Sequence, residues 1–185
     1  VDPHTRPLPG MEKNKDHSTC NGVIMKTVIG VSLCFVCWLT AVDSARGENW
    51  VRFRGPTGQG ISSETKLPVT WSASKNIKWK TPLPGKGWSS PIVFEDHVFL
   101  TAATEEGVSC RVICIERKDG SIAWSTEVHR QKPGAMRKQN SYATPTPVTD
   151  GKHVYSVFYD GTVIAVDFSG KLVWKNSEVN FFSLH

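Results

Sequence analysis

The chain has 185 residues, 39% hydrophobic and 21% charged, with 15 glycines and 11 prolines. That balance excludes a wholly disordered chain and one embedded throughout in a membrane, and its turn-forming content suits a β protein better than a helical one. The net charge of +5 comes from bases scattered among acids, which describes a solvated surface rather than a nucleic-acid-binding stripe.

Residues 1–24 are polar and aperiodic, and read as a disordered or overlong N-terminal extension. From Met25 the pattern changes. Lys26 precedes an apolar run from Val28 to Leu39, and small residues follow at Ala41, Ser44 and Ala45. A charged start, an apolar centre and a small-residue exit make a secretory signal peptide over 25–45. The apolar run is shorter than the ~20 residues of a membrane span. Cleavage after Ala41, Ser44 or Ala45 is expected, an uncut anchoring helix being the alternative. Met25 is the expected true start, with an extended signal region as the other reading of 1–24.

Residues 46–75 form a lead-in segment rich in turns. Gly55-Pro56-Thr57-Gly58-Gln59-Gly60 lacks the Gly-Lys-Ser/Thr ending of a phosphate loop and is read as part of that lead-in.

A repeat begins at residue 76. Pro91, His97, Val98 and Phe99 recur at a constant offset as Pro147, His153, Val154 and Tyr155. An acid, a Gly turn and a tryptophan also recur, as Glu116, Gly120 and Trp124 and then Asp167, Gly170 and Trp174. Trp79 fits as the end of a preceding unit. In the second unit, strands are predicted near 146–149, 153–158, 162–167 and 172–175. They are separated by Asp150-Gly151, Asp160-Gly161 and Ser169-Gly170, where glycine accepts the positive φ of tight hairpins. Four β-branched, aromatic-rich strands in a repeat of roughly 45–50 residues describe a β-propeller blade. The expected fold is all-β: a partial propeller of about two four-stranded blades plus one outer strand, over 76–185, preceded by the signal-peptide helix.

These residues resemble the pyrroloquinoline quinone repeat family, the propellers related to quinoprotein alcohol dehydrogenases. The family pattern Ala-Leu-Asp-x-x-Thr-Gly-Lys-x-x-Trp is met by Ala165, Asp167, Gly170, Lys171 and Trp174, with one residue fewer in the turn. Cys114, Glu116, Asp119, Gly120 and Trp124 match more loosely. The layout of 48–178 resembles exported propellers of planctomycete-type bacteria. The resemblance implies that the turn glycine permits the hairpin and that the tryptophan packs between neighbouring blades.

Chemistry-bearing constellations are sparse. Five cysteines give no framework; Cys110 and Cys114 point the same way along one strand but sit too far apart to bridge. No histidine spacing suits a metal. His97 and His153 repeat at equivalent turn positions, as do Glu116 and Asp167, so both pairs are read as structural, the acids bonding the turn that follows. The basic segment His129, Arg130, Lys132, Arg137 and Lys138 is expected to be a solvated loop between blades. Gly87-Trp88-Ser89-Ser90-Pro91 lacks the second glycine of a nucleophile elbow. The ligand-binding candidates are the approaches to the innermost strands: Trp88, Ser89 and Ser90, and Asn140, Ser141 and Tyr142. An aromatic beside hydroxyls and an amide suits a small polar ligand or a peptide.

A closed propeller needs roughly four to eight blades, so the chain is expected to be an N-terminal fragment that tends to self-associate. Its expected function is a non-catalytic binding or scaffold module, exported to the periplasm or cell exterior, with a protein or carbohydrate partner and no nucleic acid. The alternative is the front part of a pyrroloquinoline quinone-dependent dehydrogenase, with the quinone held only by a full-length propeller. No catalytic or metal residue is assigned.

Overall fold

The computed structural model describes residues 47–178 except residue 66. The expected extension 1–24 and the expected signal peptide 25–45 lie outside the described residues.

Eight strands form two four-stranded antiparallel sheets, each an up-and-down meander in chain order. Blade 1 contains β1 (Ile92–Phe94), β2 (His97–Thr104), β3 (Ser109–Glu116) and β4 (Ile122–Arg130). Blade 2 contains β5 (Val148–Thr149), β6 (His153–Val157), β7 (Val163–Asp167) and β8 (Leu172–Asn176). A short 3-10 turn, Glu105–Gly107, joins β2 to β3. The described part of the chain is therefore all-β, a pair of propeller blades. The innermost strand of blade 2 is shorter than its sequence suggests, and begins only after Pro147. Pro145 and Pro147 have no N–H to give a ladder.

The repeat offsets hold at the level of pairing. His97 stands opposite Glu116, and His153 opposite Asp167. Trp124 stands opposite Cys114, and Trp174 opposite Ala165. Each central strand is apolar on both faces, as a strand covered on both sides must be. On β3, Cys110, Val112 and Cys114 face blade 2, in one core with Val154, Ile164 and Val166. Ile113 and Ile115 face the other way, under Trp79, with Val98 and Leu100.

Tryptophans fasten each layer to the next in the same manner. Trp79 Nε1 donates to the Arg117 carbonyl at 3.0 Å, and the Thr81 hydroxyl donates to the Gly120 carbonyl at 2.5 Å. One layer on, Trp124 Nε1 donates to the Phe168 carbonyl at 2.9 Å. A Cβ on Gly120 would sit 2.5 Å from Trp79 Cδ2, and one on Gly170 2.7 Å from Trp124 Cδ2. Both glycines also hold positive φ, +77° and +84°, so backbone conformation and close approach each demand glycine there. Asp167 Oδ1 accepts from the Ser169 hydroxyl and from the backbone N–H groups of Ser169 and Lys171. Those bonds, the Ser169 hydroxyl first, hold its carboxyl below the usual range. In blade 1 the equivalent work falls to Asp119, which accepts from the Ser121 N–H and hydroxyl. The Glu116 carboxylate instead faces His97 at 4.0 Å, so the expectation that it bonds its turn is corrected. Blade 1 has one more residue in that turn, and Asp119 is the acid nearest the orphan N–H groups.

The lead-in does more than precede the blades. Trp50 exchanges two backbone hydrogen bonds with Val93 on β1, at 2.7 and 2.9 Å. The Thr149 N–H on β5 donates to the Val51 carbonyl at 3.1 Å. Asn49 Oδ1 also accepts from the Glu95 N–H at 2.7 Å. The segment 49–51 thus bridges the inner edges of both blades.

Candidate functional site

The candidate ligand residues lie at one end of the blades, here called the upper end. It carries the β2–β3 turn, the β6–β7 turn and the approaches to β1 and β5. A cavity of about 540 Å³ opens there, lined by Lys86, Trp88, Glu105, Glu106, Asn140 and Tyr142 among others. A second, of about 510 Å³, lies on the other side of Asn140 and Ser141, against Val157, Phe158 and Tyr159.

Four of the six sequence candidates, Trp88, Asn140, Ser141 and Tyr142, line the first cavity together. Trp88 is 52 to 54 residues from the other three in sequence but is held beside them by the backbone: its N–H donates to the Ala143 carbonyl at 3.0 Å. The Trp88 side chain is 59% exposed. Tyr142 is half-buried; its hydroxyl donates to the Gly134 carbonyl at 2.7 Å and its ring meets Tyr159 edge-on at 5.2 Å. The Ser141 hydroxyl accepts from the Ala143 N–H, and Thr144 Oγ1 accepts from the Ser141 N–H, closing a compact turn. Ser89 and Ser90 are not brought to the cavity. The Ser89 hydroxyl accepts from the Thr101 N–H at 3.1 Å, and the Ser90 N–H donates to Thr146 Oγ1 at 3.1 Å. Ser89 fastens its approach segment to β2, and Ser90 fastens it to the approach to β5.

Sequence reasoning missed one wall of the first cavity. Glu105, Glu106 and Gly107 adopt three successive positive φ angles of 51°, 54° and 101°. Two non-glycine residues in the left-handed region carry strain, and no sequence pattern marks them. Glu105 is anchored to Arg130 at 2.6 Å, and Arg130 also reaches Glu127 at 2.9 Å. Beside this wall stand Lys86 and Lys138, so the lining carries both signs of charge.

The expectation of a solvated loop from His129 is corrected. His129 and Arg130 belong to β4, because that strand runs to nine residues and keeps pairing with β3 as far as Ser109. The His129 side chain is nearly buried between the blades, with Nε2 2.6 Å from Asp160 Oδ2 and 3.2 Å from Thr162 Oγ1. Burial opposes ionisation of Asp160, but the bonds from His129 and Thr162 outweigh it and lower its pKa. Cys110, directly across the ladder from His129, is buried, and its thiol is pushed up to about 12, mainly by burial and then by Asp160 and Glu127. A thiol so poorly ionised is a packing group. No cluster of three or more metal-ligating side chains occurs among the described residues.

The profile of the family described as outer membrane protein assembly factor BamB matches residues 58–180. The chain belongs to that family. A solved structure of BamB from Moraxella catarrhalis is similar to it at 20% identity and a TM-score of 0.41, over 53% of this chain and 27% of that one. This chain thus spans little more than a quarter of that structure's length. No curated protein matches. The matched residues span both blades.

Proposed function

We propose that this chain is part of an exported β-propeller module that holds a partner at the cell envelope without catalysing a reaction. The observation that carries the reading is the pair of cavities flanking Asn140 and Ser141, with Trp88 standing exposed at the rim of the first. Exposed tryptophans beside concave, mixed-charge surface are typical anchors of protein interfaces. The family's description as an assembly factor supports a protein partner, and its outer-membrane setting supports export together with Lys26 and the apolar run to Leu39. N-terminal sequencing of the exported protein should then find a start between Val42 and Glu48; an intact Met25 on a soluble envelope protein would refute cleavage.

A photo-crosslinking amino acid at position 140, which lines both cavities, tests the partner. In cells it should give a discrete protein adduct from the envelope fraction, and the same group at Lys152, on the opposite end, should not. Equal labelling at both positions, or an adduct to polysaccharide alone, would refute a protein-binding upper end.

Pyrroloquinoline quinone has no place in this reading. That planar tricarboxylate would need a slot with excess positive charge, whereas the lining of the first cavity balances Lys86 and Lys138 with Glu105 and Glu106. Calorimetric titration of the chain with the quinone should show no binding at micromolar concentration. A stoichiometric complex would support the dehydrogenase reading instead.

A further inference from the structure

The upper end carries bases that the protein does not neutralise. Two stretches of chain reach the first cavity, the approach to β1 and the connection from β4 to β5. The sequence holds no acid from Thr65 to Phe94 and none from Val128 to Thr149. The first stretch brings Lys86 to the cavity, and the second brings Lys138, with Lys132 and Arg137 on the same connection. All four are exposed, and among the described residues none makes an ion pair or a side-chain hydrogen bond.

The acids that arrive on the neighbouring strands and turns are mostly engaged. Glu105 and Glu127 share Arg130, and Glu127 also stands opposite Arg111 on the ladder. Asp160 is taken by His129 and by the Thr162 N–H. Of the acids in the cavity lining, Glu106 makes no such contact among the described residues. The lining is balanced in sign, but one of its two acids is spent on Arg130, and the connection adds two more bases. The opposite end differs: its turns mix signs locally, Lys118 with Asp119, Asp150 with Lys152 and Asp167 with Lys171.

An apolar element accompanies these bases. Trp88 stands exposed at the rim, and Met136 is half-buried in the lining. An aromatic anchor among unneutralised ammonium and guanidinium groups complements a protein segment that carries carboxylates beside apolar side chains. Glu106, set among the bases, disfavours the dense phosphate array of a nucleic acid or an anionic membrane. A segment with separated carboxylates avoids it.

We propose that the upper end takes a carboxylate-rich segment of its protein partner at the first cavity, with Lys86 and Lys138 as the residues that select for acid. This rests on the protein-binding role proposed above and names the chemistry of the partner. Long basic side chains in water supply discrimination and association rate more than bulk affinity. The signature is therefore charge selectivity that fades with salt, on top of the anchoring by Trp88.

The test adds dye-labelled peptides to the whole chain and reads fluorescence anisotropy. One is a short soluble peptide of Glu and Leu spaced by Ser and Gly; the others replace Glu by Gln or by Lys. The Glu peptide should bind about tenfold more tightly than the Gln peptide, and the difference should shrink as salt is raised to about 0.5 M. Lys86→Gln with Lys138→Gln should weaken the Glu peptide about fivefold and leave the Gln peptide unchanged. Lys86→Glu with Lys138→Glu should reverse the preference in favour of the Lys peptide. Lys152→Gln with Lys171→Gln removes the same charge from the opposite end and should change neither. The proposal is overturned if wild type binds the Glu and Gln peptides alike, if the two pairs of Gln substitutions act equally, or if the preference does not reverse. Sedimentation with phosphatidylglycerol vesicles that is lost with Lys86→Gln and Lys138→Gln would overturn it in favour of a lipid surface. Crosslinking from position 140 separates it from the reading it rests on. A protein adduct of undiminished yield with Lys86→Glu and Lys138→Glu would keep the protein-binding upper end and overturn the acidic partner. No adduct from the chain with both lysines present would refute both.

Discussion

Replacing Gly170 by alanine tests the blade fastening most directly, because the structure separates two costs that usually come together. The first is conformational: φ of +84° penalises a Cβ by about 1–2 kcal/mol. The second is steric: the new Cβ would lie 2.7 Å from Trp124 Cδ2, and crowding of this kind in a packed site costs about 1–3 kcal/mol. Gly170→Ala should therefore lose about 2–5 kcal/mol, a urea midpoint shift of roughly 1–2 M at a typical slope for a small protein. In a Trp124→Ala background the ring is gone, and the conformational cost remains with the contact to the Thr126 hydroxyl at 2.9 Å, leaving a coupling of about 1–3 kcal/mol between the two sites. Gly58 is the control: it holds φ of +73° with nothing within 4 Å of the point where a Cβ would stand, so Gly58→Ala should show no steric cost. Urea unfolding of the four members of the cycle, followed by tryptophan fluorescence and far-UV circular dichroism together, measures the coupling. If Gly170→Ala costs the same with and without Trp124, to within about 0.5 kcal/mol, the indole does not press on the turn and the account of the inter-blade contact is wrong.

Other expectations follow from single contacts. Trp88→Ala should abolish crosslinking to an envelope partner while leaving thermal unfolding within a degree or two, because the side chain is mostly exposed; a large loss of stability would make it a packing residue. Cys110 and Cys114, both buried with thiols pushed up to about 12, chiefly by desolvation, should resist iodoacetamide at pH 8 in the folded protein and react after unfolding, as read by peptide mass spectrometry. Asp150 accepts from the His153 and Lys152 N–H groups and the Tyr155 hydroxyl, which together hold its carboxyl well below the usual carboxylate range. A lowered folded pKa contributes stability that is present above the unfolded value and lost as pH falls through the folded one. Asp150→Asn should therefore flatten the acid limb of stability below about pH 4, the ordinary aspartate value, and leave the neutral region parallel to wild type; an unchanged acid limb would refute the role.

The blade architecture was legible because it is local and repeated. Asp150-Gly151, Asp160-Gly161 and Ser169-Gly170 mark the turns of blade 2 by residue type alone, and the observed β6, β7 and β8 fall within a residue or so of the predicted strands. The offsets of His97, Glu116 and Trp124 transfer that reading to blade 1. What the sequence hid is contact between distant segments through groups with no period. Nothing about Trp50 or Val51 announces that their carbonyls serve β1 and β5. His129 looks like one base in a basic loop, and only the fold brings Asp160 to it across 31 residues. At the candidate site, Trp88 and Tyr142 were readable as aromatics on approach segments. Ser89 and Ser90 were not separable from them, because a serine that bonds a neighbouring segment, through its hydroxyl at Ser89 or its backbone N–H at Ser90, and one that awaits a ligand look alike in sequence. The strained turn at Glu105 and Glu106 was equally invisible, since its residues contradict the glycine preference that would have marked it.

The bridge made by residues 49–51 has a consequence for the order in which the chain acquires its structure. Each blade is a meander whose strands pair with their sequence neighbours, so either can form early at small loop-closure cost. The strip from Asn49 to Val51 is different. It needs Val93 on one blade and Thr149 on the other, and the second of these is synthesised nearly a hundred residues later. The part of the described chain that leaves the ribosome first is thus among the last to find its hydrogen-bond partners. Until then the inner edges of both blades stay open to other chains, which sets a period of vulnerability in folding that lasts until Thr149 is in place.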